Sequence, residues 1–308
     1  MGNSDSSERG NSPLNRAIAK MLNPPADLMA LTEVLESSPV DLKRLGAVAG
    51  HHSDLTSQLL RLCNSPIFSL AEPGTNLEHA TIVLGAEVLR TASLAWGIVE
   101  TIVRSLPLAV VQAFWQHGLT VALLSERIAE RMHYPVMEAH LAGLLHDVGR
   151  VPFLIAENET GNAEAFLRLP ESPHAEAQKF GIDHGELGRR IGTAWRFSDP
   201  FVDVFSRHHQ PRVQAGDSEL VRIVSEVEGF CANCSPANEA FSAPQGWRSG
   251  FQQSLRLMEV LELGLLQDAR NLKSAVSEAA CRVDLPAPPV ASLTQPDHTS
   301  NRPLPSKV

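Results

Sequence analysis

Apolar residues recur at helical spacing along most of the chain, and period-two alternation is rare. Pro24-Pro25 punctuates the chain ahead of a helix predicted over Leu28–Leu35. Val40–Ala49 and Leu55–Cys63 read as two more helices, and Asn64-Ser65-Pro66 ends the second. Glu72-Pro73-Gly74 reads as a loop, followed by helices over His79–Leu84 and Glu87–Val103. Pro107 marks a boundary between two helical lobes.

The second lobe opens with a long helix, Val111–Met132, whose stripe runs Phe114, Val121, Leu124, Ile128 and includes His117. A helix over Met137–Val148 buries Leu141, Leu144 and Leu145, carries His146-Asp147 in its last turn and stops at Gly149. Residues 157–178 are more polar and less periodic. Asp183 then begins a capping box with Glu186, placing His184 at the first helical position. Ser198 or Asp199 caps the next helix, with Pro200 at its first position and a stripe of Phe201, Val204, Phe205 and His208. Leu220, Ile223, Val224 and Val227 define a helix that carries Glu228, and further helices are expected over 255–266 and 269–282. The predicted fold is all-α, with two helical lobes. The expected organisation is an unstructured 1–15, a first lobe over 16–106, a second over 107–235, C-terminal helices over 236–283 and an unstructured 284–308.

Composition narrows the class. Hydrophobic residues make up 43% of the chain but aromatic residues only 5%, so the core rests on Leu, Val, Ile and Ala. The net charge of −9 and the lack of a basic block disfavour nucleic acid and anionic membranes as partners. No apolar run reads as a membrane span. No secretory signal is visible, so the expected location is cytoplasmic, with reduced thiols. Cys231 and Cys234 form a lone CxxC without partners at zinc-site spacing, and read as a reduced pair at a helix end.

Six residues of the second lobe fall on helix faces or helix ends: His117, His146, Asp147, His184, His208 and His209. Separate helices of a bundle can aim such ligands at one point. Imidazole and carboxylate suit Fe, Mn, Zn or Ni, so a divalent metal is the candidate cofactor. The plain alternative is a hydrogen-bonded polar core.

The run Ala142-Gly143-Leu144-Leu145-His146-Asp147-Val148-Gly149-Arg150 resembles the central motif of HD-domain proteins. Five further elements lie along the chain: Leu59–Ser65, Ala80–Gly85, Trp115-Gln116-His117, Glu176 with Phe180–His184, and His208-His209. In these, the stretch from about Arg16 to Pro211 is similar to the HDOD (HD-related output domain) family. The resemblance implies an HD-like bundle in the second lobe and a bacterial signal-output module. Such a module acts by protein–protein contact without catalysis, and signalling proteins would be its partners. It would be a stand-alone module, with its sensor on another chain.

Departures from the pattern bear on chemistry. His52-Ser53 stands where the family has Asp-Pro, and Ser198 where it has a proline. Relative to catalytic HD-GYP phosphodiesterases, Ala113 replaces a Glu ligand, Arg150 replaces a lysine, and Gln210–Val213 shows no GYP loop. Glu228 maps onto the last HD-domain Asp. The alternative implied by resemblance is a metal-dependent phosphohydrolase. In it, His117, His146, Asp147 and His184 act as ligands, and His208, His209 and Glu228 complete a second position. Asp147 and Arg150 would be its catalytic residues, with Arg150 holding substrate phosphate. An arginine there could also bind a nucleotide second messenger without cleaving it.

Overall fold

The computed structural model describes residues 12–64, 74–167, 172–209 and 217–233. It is all-α, and no strand occurs among the described residues. The expected helices over 255–266 and 269–282, Cys234 and the C-terminal stretch lie outside the described residues.

Helix α1 (Pro13–Met21) begins inside the stretch expected to be unstructured. Ser12 caps it by accepting from Asn15 N, and Pro13 occupies the first turn, where its missing N–H costs nothing. The first lobe then runs α2 (Ala26–Glu36), α3 (Leu42–His51), α4 (Ser53–Cys63), α5 (Leu77–Leu84) and α6 (Ala86–Val103). Asp41 and Asn76 cap α3 and α5 by accepting from Arg44 N and His79 N. Gly85, at φ +89°, makes the 119° bend between α5 and α6. Helix α6 packs against α2 and is buried nearly all round, from Leu89 to Ile102.

The second lobe runs α7 (Leu108–Met132), α8 (Val136–Leu145), a 3₁₀ turn (Val148–Arg150), α9 (Val151–Glu159), α10 (Ala163–Leu167), α11 (Pro173–Phe180), α12 (His184–Ala194), α13 (Asp199–Arg207) and α14 (Glu219–Asn233). Helix α7 corrects one reading: by length and hydropathy it is apolar enough to cross a membrane. Its apolar residues are buried against α8, α14, α10 and α6, which is why its sequence is apolar on several faces.

The expected 137–148 helix stops at Leu145. His146 closes it, Asp147 leaves helical geometry at φ −92°, and the 3₁₀ turn leads into Pro152, whose ring cannot continue a preceding helix. The weakly periodic 157–178 stretch holds the end of α9, the five-residue α10 and most of α11, pieces too short to show a period. Ser198 occupies the N-cap position of α13 without a side-chain cap bond, which moves Pro200 to the second helical position.

One continuous core joins the lobes. Trp195 is fully buried and donates from Nε1 to Met21 O at 2.7 Å, and Arg16 pairs with Glu159 at 2.6 Å. Helix α1 therefore lies against α9, so the start of the chain helps build the second lobe. Arg90 of α6, 4% exposed, donates to Arg196 O at 2.6 Å and pairs with Glu87, pinning the first lobe to the α12–α13 turn.

Candidate metal centre

All seven predicted site residues are described, and the structure gathers them in one place. Helix α7 supplies His117, the end of α8 supplies His146 and Asp147, and the N-terminus of α12 supplies His184. The end of α13 supplies His208 and His209, and α14 supplies Glu228. His146, Asp147, His184, His208 and Glu228 are buried, while His117 and His209 are half-buried.

Close backbone packing makes the convergence possible. A Cβ on Gly149 would overlap the His184 carbonyl, and one on Gly188 would lie 2.6 Å from Phe205 O. The 3₁₀ turn, α12 and α13 thus stack at a separation that only glycine permits, and the stack carries Asp147, His184 and His208 inward.

The donor atoms fall into two groups that meet at Asp147. In one, His117 Nε2 lies 3.1 Å from His146 Nε2 and 3.2 Å from Glu228 Oε2. His146 Nε2 lies 3.3 Å from Glu228 Oε2 and 4.0 Å from Asp147 Oδ2. In the other, His184 Nε2 and His208 Nε2 are 3.3 Å apart and lie 3.8 and 3.4 Å from Asp147 Oδ1. His209 completes this second group, whose donor atoms all lie within 4.8 Å of one another.

Hydrogen bonds on the far side of three of the rings place a proton on Nδ1. His146 Nδ1 donates to Gly143 O at 2.7 Å and His208 Nδ1 to Val204 O at 2.9 Å. His184 Nδ1 donates to Glu176 Oε2 at 2.5 Å. Each acceptor is a carbonyl or carboxylate oxygen, so each proton sits on Nδ1 and, in the neutral ring, each Nε2 turns a lone pair inward. Burial pushes His208 down to about 3, against the pull of Asp147, so its ring is neutral. Burial alone would raise Asp147 and Glu228. Positive charge on His146 and the other facing rings, with Arg150 beside Asp147, holds Asp147 well below the usual carboxylate range, and charge on His117 and His146 does the same for Glu228; where the rings are neutral, a bound cation would supply that pull.

Two lone pairs facing each other at 3.3 Å beside a carboxylate repel unless a proton or a metal ion lies between them. Asp147 Oδ1 and Glu228 Oε2 are also buried without a hydrogen bond, despite the imidazoles close by. The donor set fits a divalent metal: neutral imidazole nitrogens and ionised carboxylate oxygens suit Fe, Mn, Zn or Ni.

A sequence profile of the HDOD domain matches residues 21–211. The chain belongs to the HDOD family. Among solved structures of HDOD-like fold, a proposed phosphohydrolase from Shewanella amazonensis SB2B is similar at a TM-score of 0.55. It shares 22% identity, with 87% of this chain and 96% of that one covered. An HDOD domain protein of unknown function from Geobacter sulfurreducens matches at a TM-score of 0.51 and 23% identity, covering 83% and 92%. A proposed signal transduction protein from Marinobacter aquaeolei VT8 matches at a TM-score of 0.51 and 16% identity, covering 90% and 66%. An uncharacterised protein of Treponema pallidum (strain Nichols) is 21% identical over 192 residues, and this chain spans 37% of its length.

Two residues sit differently from their sequence reading. Arg150 was the candidate phosphate contact, yet it is 4% exposed and turned inward. Its guanidinium donates to Asp147 Oδ2 at 3.5 Å, lies 3.7 Å from Glu176 Oε1 and covers the Phe166 ring at 5.3 Å. Glu176 is in the sequence only part of a family motif, and in the structure it is the buried partner of His184. Its eight-residue separation from His184 across a turn carries no helical period that would expose the contact.

Proposed function

We propose that this HDOD protein is a cytoplasmic signal-output module whose second lobe is held together by divalent metal at the histidine–carboxylate centre, and that it acts by contact with other signalling proteins rather than by hydrolysis. The convergence of inward Nε2 lone pairs on Asp147 carries the metal part of this reading. The donors come from α7, α8, α12, α13 and α14, so bound metal would cross-link elements far apart in sequence, a folding contribution in its own right.

Two features support a non-hydrolytic role. Arg150 is buried with its guanidinium turned toward Asp147 and Glu176, so it does not reach outward to a substrate phosphate or a nucleotide. Ala113, one turn before His117, brings no carboxylate to the centre. The acidic chain also suits protein partners better than polyanions.

A metal-dependent phosphohydrolase is the second reading, favoured by one observation: two donor groups share Asp147, as a two-metal site requires. In that case a bound metal supplies an acidified water, and His117, His146, Asp147, His184, His208, His209 and Glu228 hold it. The test is turnover of a generic phosphodiester and of cyclic dinucleotides by protein loaded with Mn²⁺, Fe²⁺ or Zn²⁺. The output-module reading expects no more product than with metal alone. Turnover that disappears in His146→Ala and Asp147→Ala would replace it with the hydrolase.

A further inference from the structure

Glu176 stands behind the centre rather than in it. It lies on α11, 5% exposed, and one of its oxygens serves a single neighbour twice. Oε2 accepts from the His184 backbone N–H at 3.0 Å and from its Nδ1 at 2.5 Å. The second oxygen faces Arg150 Nε at 3.7 Å, and Arg150 donates to Asp147 Oδ2 at 3.5 Å. A continuous path of buried groups therefore runs from His184 through Glu176 and Arg150 to Asp147.

The three rings with defined tautomers are not held alike. His146 and His208 give their Nδ1 protons to main-chain carbonyls, a device no side chain controls. His184 gives its proton to an ionisable side chain instead. A charged acceptor makes a stronger hydrogen bond than a neutral one and raises the basicity of the opposite ring nitrogen.

We propose that Glu176 is the positioning residue of the centre: it holds the His184 proton on Nδ1, presents the Nε2 lone pair inward, and through Arg150 keeps Asp147 in register with His184. This rests on the metal reading above. Arg150 then has a role without substrate, because its fork spans two carboxylates that would otherwise repel each other.

The test is Glu176→Met, which keeps the length of the side chain but removes the one acceptor that the His184 N–H and Nδ1 share. With no oxygen facing Nδ1, the bias on the proton is lost. Long-range ¹H–¹⁵N spectra of the metal-free proteins read the tautomer, with the His184 signals identified by their absence in His184→Gln. Competition of Zn²⁺ against a chromophoric chelator reads affinity, with His146→Ala as the reference lacking the site. Far-UV circular dichroism checks that both proteins are folded.

Wild type is expected to carry the His184 proton on Nδ1, and the variant a mixture. Zn²⁺ affinity should fall roughly 10–100-fold at unchanged helicity. An unchanged tautomer overturns the proposal whatever the affinity does. A changed tautomer with wild-type affinity overturns it too. Wild-type protein that takes up no Zn²⁺ would refute the metal reading instead, and the tautomer comparison would then decide the role of Glu176 by itself.

Discussion

Replacing Gly149 with alanine is the sharpest perturbation of the centre that replaces none of its candidate ligands. The added Cβ would overlap the His184 carbonyl oxygen and sit 2.7 Å from Gly188 N and 2.8 Å from the His184 carbonyl carbon. Restoring an ordinary contact of about 3.5 Å to Gly188 N moves the turn by about 0.8 Å, and the carbonyl demands more. All of these atoms are backbone, and Val148, Gly149 and Arg150 are buried, so no side chain can swing aside. Overpacking of this kind costs about 3 kcal/mol, the upper end of the usual range. For a domain of this size that lowers Tm by roughly 6–12 °C. The displacement also separates Asp147 from His184, now 3.8 Å apart at their nearest facing atoms, so Zn²⁺ affinity should fall with stability. Gly50→Ala is the control: a Cβ there meets nothing within 4 Å, and helix propensity favours alanine by up to about 1 kcal/mol. Differential scanning calorimetry of the metal-free proteins and chelator competition read both effects. A Gly149→Ala protein that melts within about 2 °C of wild type and binds Zn²⁺ as tightly would refute the packing argument.

Further consequences follow from other contacts. Trp195→Phe leaves the Met21 carbonyl without its buried donor, at a cost of about 1–3 kcal/mol, and should loosen the end of α1 from α12. Limited proteolysis near residues 13–25 reads this, and an unchanged cleavage rate would contradict it. Burial pushes the Cys63 thiol up to about 12. Its contribution to stability is therefore complete below the unfolded thiol value of about 8.5 and is lost as pH rises from there through about 12. A thiol reagent at pH 8 should leave Cys63 unlabelled until urea is added, as peptide mapping would show. Rapid labelling in the native protein would count against its burial. Glu186, held down to about 2 by Arg189 and Arg190, is a half-buried carboxylate between two exposed arginines, so Glu186→Gln should cost under about 1 kcal/mol by urea titration at pH 7. What little it adds is present above the unfolded carboxylate value and lost as pH falls through about 2.

Helix caps and apolar stripes made much of this fold legible in the residues themselves. Asp183 at the start of α12 accepts from Glu186 N as its spacing implies, and so sets His184 at the first helical position. The Glu186 carboxylate does not complete the capping box, because Arg189 and Arg190 take it. The helices that carry the candidate ligands were legible too, since motif order survives without coordinates. Ring direction was not: the inward Nε2 of His146 depends on a bond to Gly143 O, a backbone atom no motif names. Nor was the inward turn of Arg150, which depends on Glu176 and Phe166 arriving from later helices. Helix α1 escaped notice because its nine residues are too few to show a period, and its partner α9 lies more than a hundred residues away.

Metal content tests the central claim most directly. Protein purified without a histidine tag and analysed by plasma mass spectrometry should hold about one equivalent or more of Fe, Mn, Zn or Ni. His146→Ala and Asp147→Ala should hold almost none. Less than about a tenth of an equivalent in the wild type, unchanged in both variants and after incubation with each ion, would mean the seven residues form a polar core and not a metal centre.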